Sequence, residues 1–151
     1  MAAAVSYQFD DSLIKWLPFG TFEGLAYTIL DVDVDRRTAD VMFKFEPNRT
    51  CFYHRHVAAS TGIVVAGIHH VYEIDEDTGE KIHHEKPVGS FTKKPGGDVH
   101  IEGGGPEGCT VFMHMEADTD LMYEVLDDDL SLKMAVSIQQ FKKVFDQLQA
   151  N

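Results

Sequence analysis

The most informative stretch of the sequence is Gly89-Ser90-Phe91-Thr92-Lys93-Lys94-Pro95-Gly96-Gly97-Asp98-Val99-His100. It combines a segment with β-strand propensity, a turn, and a histidine at the start of the next apolar segment. Pro95 fixes φ at the entry of the turn, and Gly96 and Gly97 tolerate positive φ, so these residues predict a tight turn. Such a turn would deliver His100 to a defined place on the following strand.

A second histidine motif lies upstream, at His54-Arg55-His56. Alternate side chains of a strand share one face, so the two histidines would point together while Arg55 points away. Two imidazoles on one face make half of a metal site. The sequence holds eight histidines in all. Four of them are interpreted as surface or internally satisfied side chains: His69, His83, His84 and His114.

Together, these segments resemble the two sequence motifs of the cupin family. The second motif is matched by the stretch from Gly89 to His100. In the first motif of the family, HxH is followed by a glutamate and later by a glycine. Gly67 stands where that glycine belongs, whereas Ser60 or Thr61 occupies the position of the glutamate.

The resemblance implies three metal ligands, His54, His56 and His100, and no ligand at the position of the missing glutamate. Three neutral imidazoles around a divalent ion leave a net charge of about +2, which favours a chelating anion such as an enolate. Three protein ligands also leave coordination positions open, which is typical of catalytic sites.

Acetylacetone dioxygenase and 2,4′-dihydroxyacetophenone dioxygenase are three-histidine cupins that the chain resembles. The resemblance implies a mononuclear non-heme Fe(II) dioxygenase, for which O₂ would be one substrate. The other substrate would be a small β-diketone or hydroxyketone, bound as a chelating enolate and cleaved at a C–C bond.

Other interpretations of the same motifs stay open. Zinc, manganese and nickel also suit imidazole ligands, and a zinc or manganese ion would make the chain an isomerase or a hydrolase. The chain is also similar to the cupin domain of ChrR-type zinc anti-sigma factors, which implies a metal-binding sensor or interaction module. Some cupins, such as sugar-nucleotide epimerases, use the barrel without a metal.

Three further residues are candidate catalytic groups. His70 and Tyr72 share a strand face just after Gly67, where the resembling enzymes place polar residues that steer the substrate. Glu102 shares the face of His100, where it would orient a ligand imidazole or remain a solvated acid. Alternation also predicts an apolar wall around the metal, from Phe52, Val111, Met113 and Met115.

The rest of the chain predicts an all-β domain, because short segments rich in Val, Ile, Phe, Tyr and Thr alternate with Gly and Pro. The predicted strands cover residues 25–30, 38–45, 62–65, 68–74, 88–93, 109–116 and 133–136. An amphipathic helix is predicted from Ile138 to Leu148, with Ser137 as its N-cap. Together with the resemblance, these elements predict a single-domain cupin. Its architecture would be a double-stranded β-helix, or jelly-roll barrel, with a C-terminal α-helix. Its parts are an N-terminal extension (1–20), the barrel (21–136) and the helix (137–151).

The composition argues against nucleic acid and anionic lipid as partners, because 13 basic and 25 acidic side chains give a net charge of −12. No apolar run approaches the roughly 20 residues of a membrane span. The segment Met1–Ser6 lacks the features of a secretory signal, so a cytoplasmic location is expected. Cys51 and Cys109 match no zinc or redox spacing and are interpreted as buried small residues. A homodimer is expected, because edge strands of the resembling cupins pair across a dimer.

Overall fold

The computed structural model describes residues 6–151, so the expectation drawn from Met1–Ser6 lies almost wholly outside the described residues. Within the described part, the chain forms ten strands and one helix. They are β1 (Leu17–Phe19), β2 (Phe22–Asp33), β3 (Thr38–Phe45), β4 (His54–His56), β5 (Ala59–Ile74), β6 (Lys81–Lys86), β7 (Phe91–Lys94), β8 (Val99–Glu116), β9 (Leu121–Leu126), β10 (Leu132–Ser137) and α1 (Ile138–Ala150). The predicted all-β architecture with a C-terminal helix is confirmed. Across residues 6–151, no helix has the length and apolar character that a membrane crossing requires.

The strands form one curled, antiparallel sheet around the long strand β8. β8 pairs with β3 and β4 along one edge and with β5 along the other. β6 and β7 continue the sheet from β5, and β9 and β10 continue it from β4. Because β4 and β8 are neighbours, the HxH motif and His100 come onto adjacent strands.

Most of the predicted strands are present, with different bounds. The predicted strand 38–45 coincides with β3, whereas the segments 62–65 and 68–74 are one strand, β5. The predicted strand 109–116 is only the second half of β8, because the glycines at 103–105 weaken the β signal of its first half. β6 is largely exposed and rich in charged residues and histidine, so it has no apolar alternation to reveal it. β1 falls within residues 1–20 and pairs with β2, so this part of the segment belongs to the sheet.

The C-terminal helix starts where the sequence predicted and ends two residues later, at Ala150. The hydroxyl of Ser137 accepts a hydrogen bond from the backbone N–H of Gln140, whose side chain accepts one from the N–H of Ser137. This reciprocal capping satisfies backbone donors at the start of the helix. The buried face of α1, formed by Ile138, Phe141 and Leu148, packs into a core cluster with residues of β2, β3 and β8.

Irregular pairing between β5 and β8 changes which side chains face the interior. Gly67 has a φ of +69°, and a Cβ atom there would lie 2.1 Å from the carbonyl oxygen of Gly108, so only glycine fits. The register of the two strands shifts twice, between Val64 and Ala66 and between Gly67 and His69. Such a shift moves the following side chains to the opposite face. Ser60 and Val64 line the interior cavity before the first shift, and His69 and Val71 line it after the second.

Candidate metal centre

Four buried side chains converge on one point inside the sheet. His54 and His56 come from β4, and His100 and Glu102 come from β8, with His54 directly opposite His100 in the pairing of the two strands. One ligand atom from each residue lies within 4.8 Å of those of the other three. The three histidines that the sequence selected as ligands are therefore adjacent. Glu102, selected there as a catalytic candidate, is the fourth member of the cluster.

The Pro95-Gly96-Gly97 turn holds together the two strands that carry the cluster, β4 and β8, through a hydrogen bond. Gly96 and Gly97 have φ angles of +93° and +98°, as the sequence predicted for this turn. The backbone N–H of Gly97 donates a 2.7 Å hydrogen bond to the carbonyl oxygen of His56. The turn thereby anchors the start of β8 to the end of β4, and the rings of His56 and His100 stack with centroids 5.1 Å apart.

Hydrogen bonds on the outer side of two imidazoles fix their orientation. The Nδ1 atom of His54 lies 3.1 Å from the carbonyl oxygen of Phe52, and that of His100 lies 3.0 Å from Oδ2 of Asp98. Each Nδ1–H can donate to its oxygen, which leaves Nε2 as the coordinating atom. The Nε2 atoms lie 3.0 Å (His54) and 3.7 Å (His100) from Oε2 of Glu102.

His56 gives the clearest sign that the cluster is built for an ion. Both of its ring nitrogens are buried and have no hydrogen-bond partner among residues 6–151. A buried polar atom without a partner costs about 1–3 kcal/mol, and a coordinated ion removes that cost for the ring nitrogen that it binds. Three imidazoles and one carboxylate are donors that suit Fe(II), Mn(II), Ni(II) and Zn(II). The residues present therefore fit a divalent transition metal.

The electrostatics of the cluster show how strongly its members interact. Burial, together with the charges of His100 and His54, lowers the pKa of His56 to about 3. Burial and His100 also lower the pKa of His54, but Cys51 and Glu102 raise it, to about 9 overall. Burial by itself would raise the pKa of Glu102, yet its interactions with His100 and His54 hold that pKa well below its usual range. Glu102 is therefore an anion among imidazoles, and metal binding would displace protons from the cluster.

A cavity of about 540 Å³, including space open to solvent, lies beside the cluster. Its apolar wall is formed by Val64, Val71, Val111 and Met113. Its polar side includes Ser60, Ser90, Thr92, Lys86 and Lys94. Val111 and Met113 thus lie where the sequence analysis expected an apolar wall.

The other two residues expected in that wall lie elsewhere. Met115 is fully buried in the core cluster under α1, because β8 continues past the cavity towards the helix. Phe52 lines a second, smaller cavity of about 340 Å³ that reaches the cluster at His54 and His56. Apolar side chains therefore border the candidate metal centre in both cavities.

His70 and Tyr72, selected from the sequence as catalytic candidates, do not line either of these cavities. After the register shifts between Val64 and His69, both residues lie on the outer face of β5, where they stack with His83 of β6. The rings of Tyr72 and His83 have centroids 4.5 Å apart, and Nδ1 of His70 lies 2.8 Å from Nε2 of His83. The structure thus separates both residues from the cluster.

His69, interpreted from the sequence as a surface or satisfied residue, is instead buried beside the cluster. Its Nε2 atom lies 3.1 Å from Oε1 of Glu102, without the angle of a hydrogen bond, and its ring stacks on Phe45. It therefore contacts the carboxylate oxygen opposite the one that faces His54. Gly67 marks the irregular region in the sequence, but the residues alone do not reveal the register shift between Val64 and Ala66 after which odd-numbered residues such as His69 face the interior.

No family model matches the sequence, and no curated protein matches it. Solved structures do match. An RmlC-like cupin protein from Ralstonia eutropha JMP134 is 13% identical, with a TM-score of 0.69 over 91% of this chain and 83% of that chain. A candidate acetylacetone dioxygenase from Methylibium petroleiphilum PM1 is 12% identical, with a TM-score of 0.62 over 96% of this chain and 98% of that one.

A point variant of the oxalate decarboxylase from Bacillus subtilis is 17% identical, with a TM-score of 0.61 over 83% of this chain. The match covers 34% of the decarboxylase, so this chain corresponds to about a third of its length. At these identities the likeness concerns the fold, and it agrees with the two motifs that the sequence analysis identified. The chain therefore has the cupin fold, with a buried His/Glu cluster that can hold a metal ion.

Proposed function

We propose that this chain is an Fe(II)-dependent dioxygenase that cleaves a C–C bond of a small β-diketone or hydroxyketone bound as a chelating enolate. The observation that supports this most is a buried cluster of three histidines and one glutamate beside a cavity with an apolar wall. The likeness to a candidate acetylacetone dioxygenase over nearly the whole of both chains adds support.

In this proposal His54, His56 and His100 hold the ion, and Glu102 supplies a fourth ligand. Glu102 lowers the net charge of the loaded site from the value of about +2 expected for three histidines to about +1. That charge still favours an anionic chelate over a neutral ligand, and four protein ligands leave positions open for its two oxygen atoms. A bound Fe(II) ion would supply Lewis acidity and a redox partner for O₂.

The residues of the chain itself would bind the substrate and keep water away from it. Val64, Val111 and Met113 form an apolar surface against which a methyl or aryl group of the substrate can pack. Asp98 would hold the imidazole of His100 in place through the hydrogen bond to Nδ1. The carboxylate of Glu102 would stay ionised throughout, because its pKa lies well below its usual range.

A second candidate function uses the same four residues with another metal. A carboxylate among imidazoles also suits manganese and zinc, which would give an isomerase or a hydrolase with no use of O₂. One of the similar structures is a Bacillus subtilis oxalate decarboxylase with Mn(II) centres. The metal-binding sensor remains the alternative in which no small molecule is turned over.

Oxygen consumption tests the proposal. Apo protein would be loaded anaerobically with Fe(II), Mn(II) or Zn(II), mixed with acetylacetone or 2,4′-dihydroxyacetophenone, and followed by an oxygen electrode and by loss of substrate absorbance. Only the iron form is expected to consume O₂, in step with loss of substrate. A His100→Ala variant should be inactive, and a His83→Ala variant should retain the activity. Iron-loaded protein that consumes no O₂ with a panel of diketones and hydroxyketones would contradict the proposal.

The homodimer and the cytoplasmic location remain proposals as well. Leu132 and Met134 on β10, a strand at the end of the sheet, are 57% and 42% exposed, which supports a dimer contact there. Light scattering is expected to give about twice the 16.9 kDa of one chain. A mass equal to one chain across the micromolar range would contradict the dimer.

A further inference from the structure

The cavity beside the candidate metal centre contains charged side chains that the proposed reaction leaves without a role. The charged groups that line it, apart from histidine, are Glu73, Lys86, Lys94, Asp98 and Glu102. Lys94 forms an ion pair with Glu73, Asp98 contacts His100, and Glu102 belongs to the metal cluster. Among residues 6–151, no carboxylate lies within 4.0 Å of the ammonium group of Lys86.

The strand pairing places Lys86 next to the metal cluster. Lys86 lies on β6 directly opposite His69 on β5. Side chains of directly opposed residues share one face, with Cβ atoms about 5 Å apart. His69 in turn lies 3.1 Å from the carboxylate of Glu102. The ammonium group therefore enters the same cavity as the open side of the cluster.

The surroundings of Lys86 leave it able to bind an anion. Its side chain is half-buried, and its Nζ donates a 3.0 Å hydrogen bond to the hydroxyl of Thr92. An ammonium group has three N–H donors, so two of them are not used by Thr92. Burial lowers the pKa of Lys86, and the charge of Glu102 offsets this only in part. A partly buried ammonium without a carboxylate partner gains stability when an anion binds to it.

We propose that Lys86 binds a carboxylate of the substrate, so that the substrate is a β-diketone or hydroxyketone that also carries a carboxylate, for example a 2,4-dioxo acid. This inference rests on the proposed function for the chelating part of the substrate. With a divalent ion bound and the histidines neutral, the three carboxylates and two lysines of the cavity leave about one positive charge. The hydroxyl groups of Ser90 and Thr92 line the same side and can donate hydrogen bonds to the same carboxylate.

No covalent bond is made or broken at Lys86 in this proposal, because its role is to select and position the substrate. A hydrogen bond between two charged groups is stronger than one between neutral groups, and its loss lowers affinity by about 10- to 100-fold. The effect should be confined to substrates with a carboxylate.

The test compares two ligands that differ at one position. Acetylpyruvate carries a carboxylate where acetylacetone has a methyl group. Wild-type protein loaded with Fe(II) is expected to show a kcat/KM at least about 10-fold higher for acetylpyruvate. Lys86→Met should remove this preference mainly through a higher KM, with little change for acetylacetone. Lys86→Arg should restore part of the preference, and Lys93→Met, an exposed lysine on β7, serves as the matched control.

Anaerobic calorimetry separates this inference from the proposed function, since it measures the binding of acetylpyruvate to Fe(II)-loaded protein without turnover. Binding that weakens about 10- to 100-fold in Lys86→Met supports the inference even if no O₂ is consumed, in which case only the proposed function fails. Turnover of acetylacetone with equal binding of acetylpyruvate by wild type and Lys86→Met overturns the inference and leaves the proposed function standing. If Lys86→Met does not fold, judged by circular dichroism, Lys86→Gln takes its place in both assays.

Discussion

Two clusters of aromatic and imidazole rings lie on opposite faces of the same sheet, and only one has the properties of a metal site. The inner cluster, His54, His56, His100 and Glu102, is buried and includes a carboxylate. The outer cluster, His70, Tyr72 and His83, stacks on the exposed surface of β5 and β6. Both contain imidazoles with ring centroids about 5 Å apart.

The difference lies in how the ring nitrogens are satisfied. In the outer cluster, Nδ1 of His70 and Nε2 of His83 are 2.8 Å apart and form a hydrogen bond with each other. Solvent reaches both rings. In the inner cluster, His56 has two buried nitrogens without a partner among residues 6–151, and the Nε2 atoms of the other two histidines are directed at one carboxylate. Proximity of histidines is therefore a weak criterion for a metal site. Buried ring nitrogens that lack hydrogen-bond partners and surround a carboxylate are a strong one.

The largest expected effect comes from removing a ligand of the inner cluster. His56→Ala should abolish tight metal binding, because it takes away one of the donors of the site. Competition with a chromophoric chelator measures the affinity, with His83→Ala of the outer cluster as the matched control. If His56→Ala and His83→Ala weaken binding equally, the distinction between the two clusters fails.

Removing the carboxylate should have the next largest effect. Glu102→Gln keeps the shape of the side chain but replaces an anionic ligand by a neutral amide. The affinity is expected to fall by at least about 100-fold, the upper end of the effect of residues that only orient a ligand. The same chelator competition checks this, and an affinity within threefold of wild type (about 0.7 kcal/mol) would show that Glu102 is not a ligand.

A smaller effect is expected when a ligand loses the residue that orients it. Asp98→Asn removes the charge that lies 3.0 Å from Nδ1 of His100. The metal affinity should fall by about 10- to 100-fold, with the stoichiometry unchanged. Asp40→Asn is the matched control, because Asp40 contacts His114 on the outside of the sheet. Equal losses in the two variants would contradict an orienting role for Asp98.

The smallest effect should come from the outer cluster. His83→Ala removes the ring that stacks on Tyr72 at 4.5 Å. An exposed stacked pair contributes about 0.5–1.5 kcal/mol, so the free energy of unfolding should fall by no more than that. Urea denaturation of metal-free protein measures the change. A loss above about 3 kcal/mol, the size of a core defect, would mean that the outer cluster has a structural role that its exposure does not suggest.

Much of the fold followed from the sequence because its signals are local. The turn at Pro95 to Gly97 and the cap at Ser137 each depend on a few neighbouring residues, and both have the expected conformation. The two histidine motifs also predicted that His54 and His56 share a strand face and that His100 starts a strand, although none of the predicted strand ranges covers these residues. These parts require no knowledge of how distant strands pair.

The features that the sequence did not predict depend on contacts between strands that are distant in the chain. The phase of side chains after Gly67 is set by the irregular pairing of β5 with β8 between Val64 and His69, which the spacing of residues on β5 alone does not reveal. For this reason His70 and Tyr72 were expected at the centre, and His69 was not. Alternation did place Glu102 on the face of His100. That its carboxylate joins all three histidines in one cluster depends on the pairing of β4 with β8.

The most direct test of the central claim is the metal content of the wild-type protein. Apo protein would be incubated anaerobically with Fe(II), and in parallel with Mn(II) and Zn(II), then desalted and subjected to elemental analysis. If the inner cluster is a metal centre, about one ion per chain is retained with at least one of these metals. Protein that retains none of the three would contradict the account.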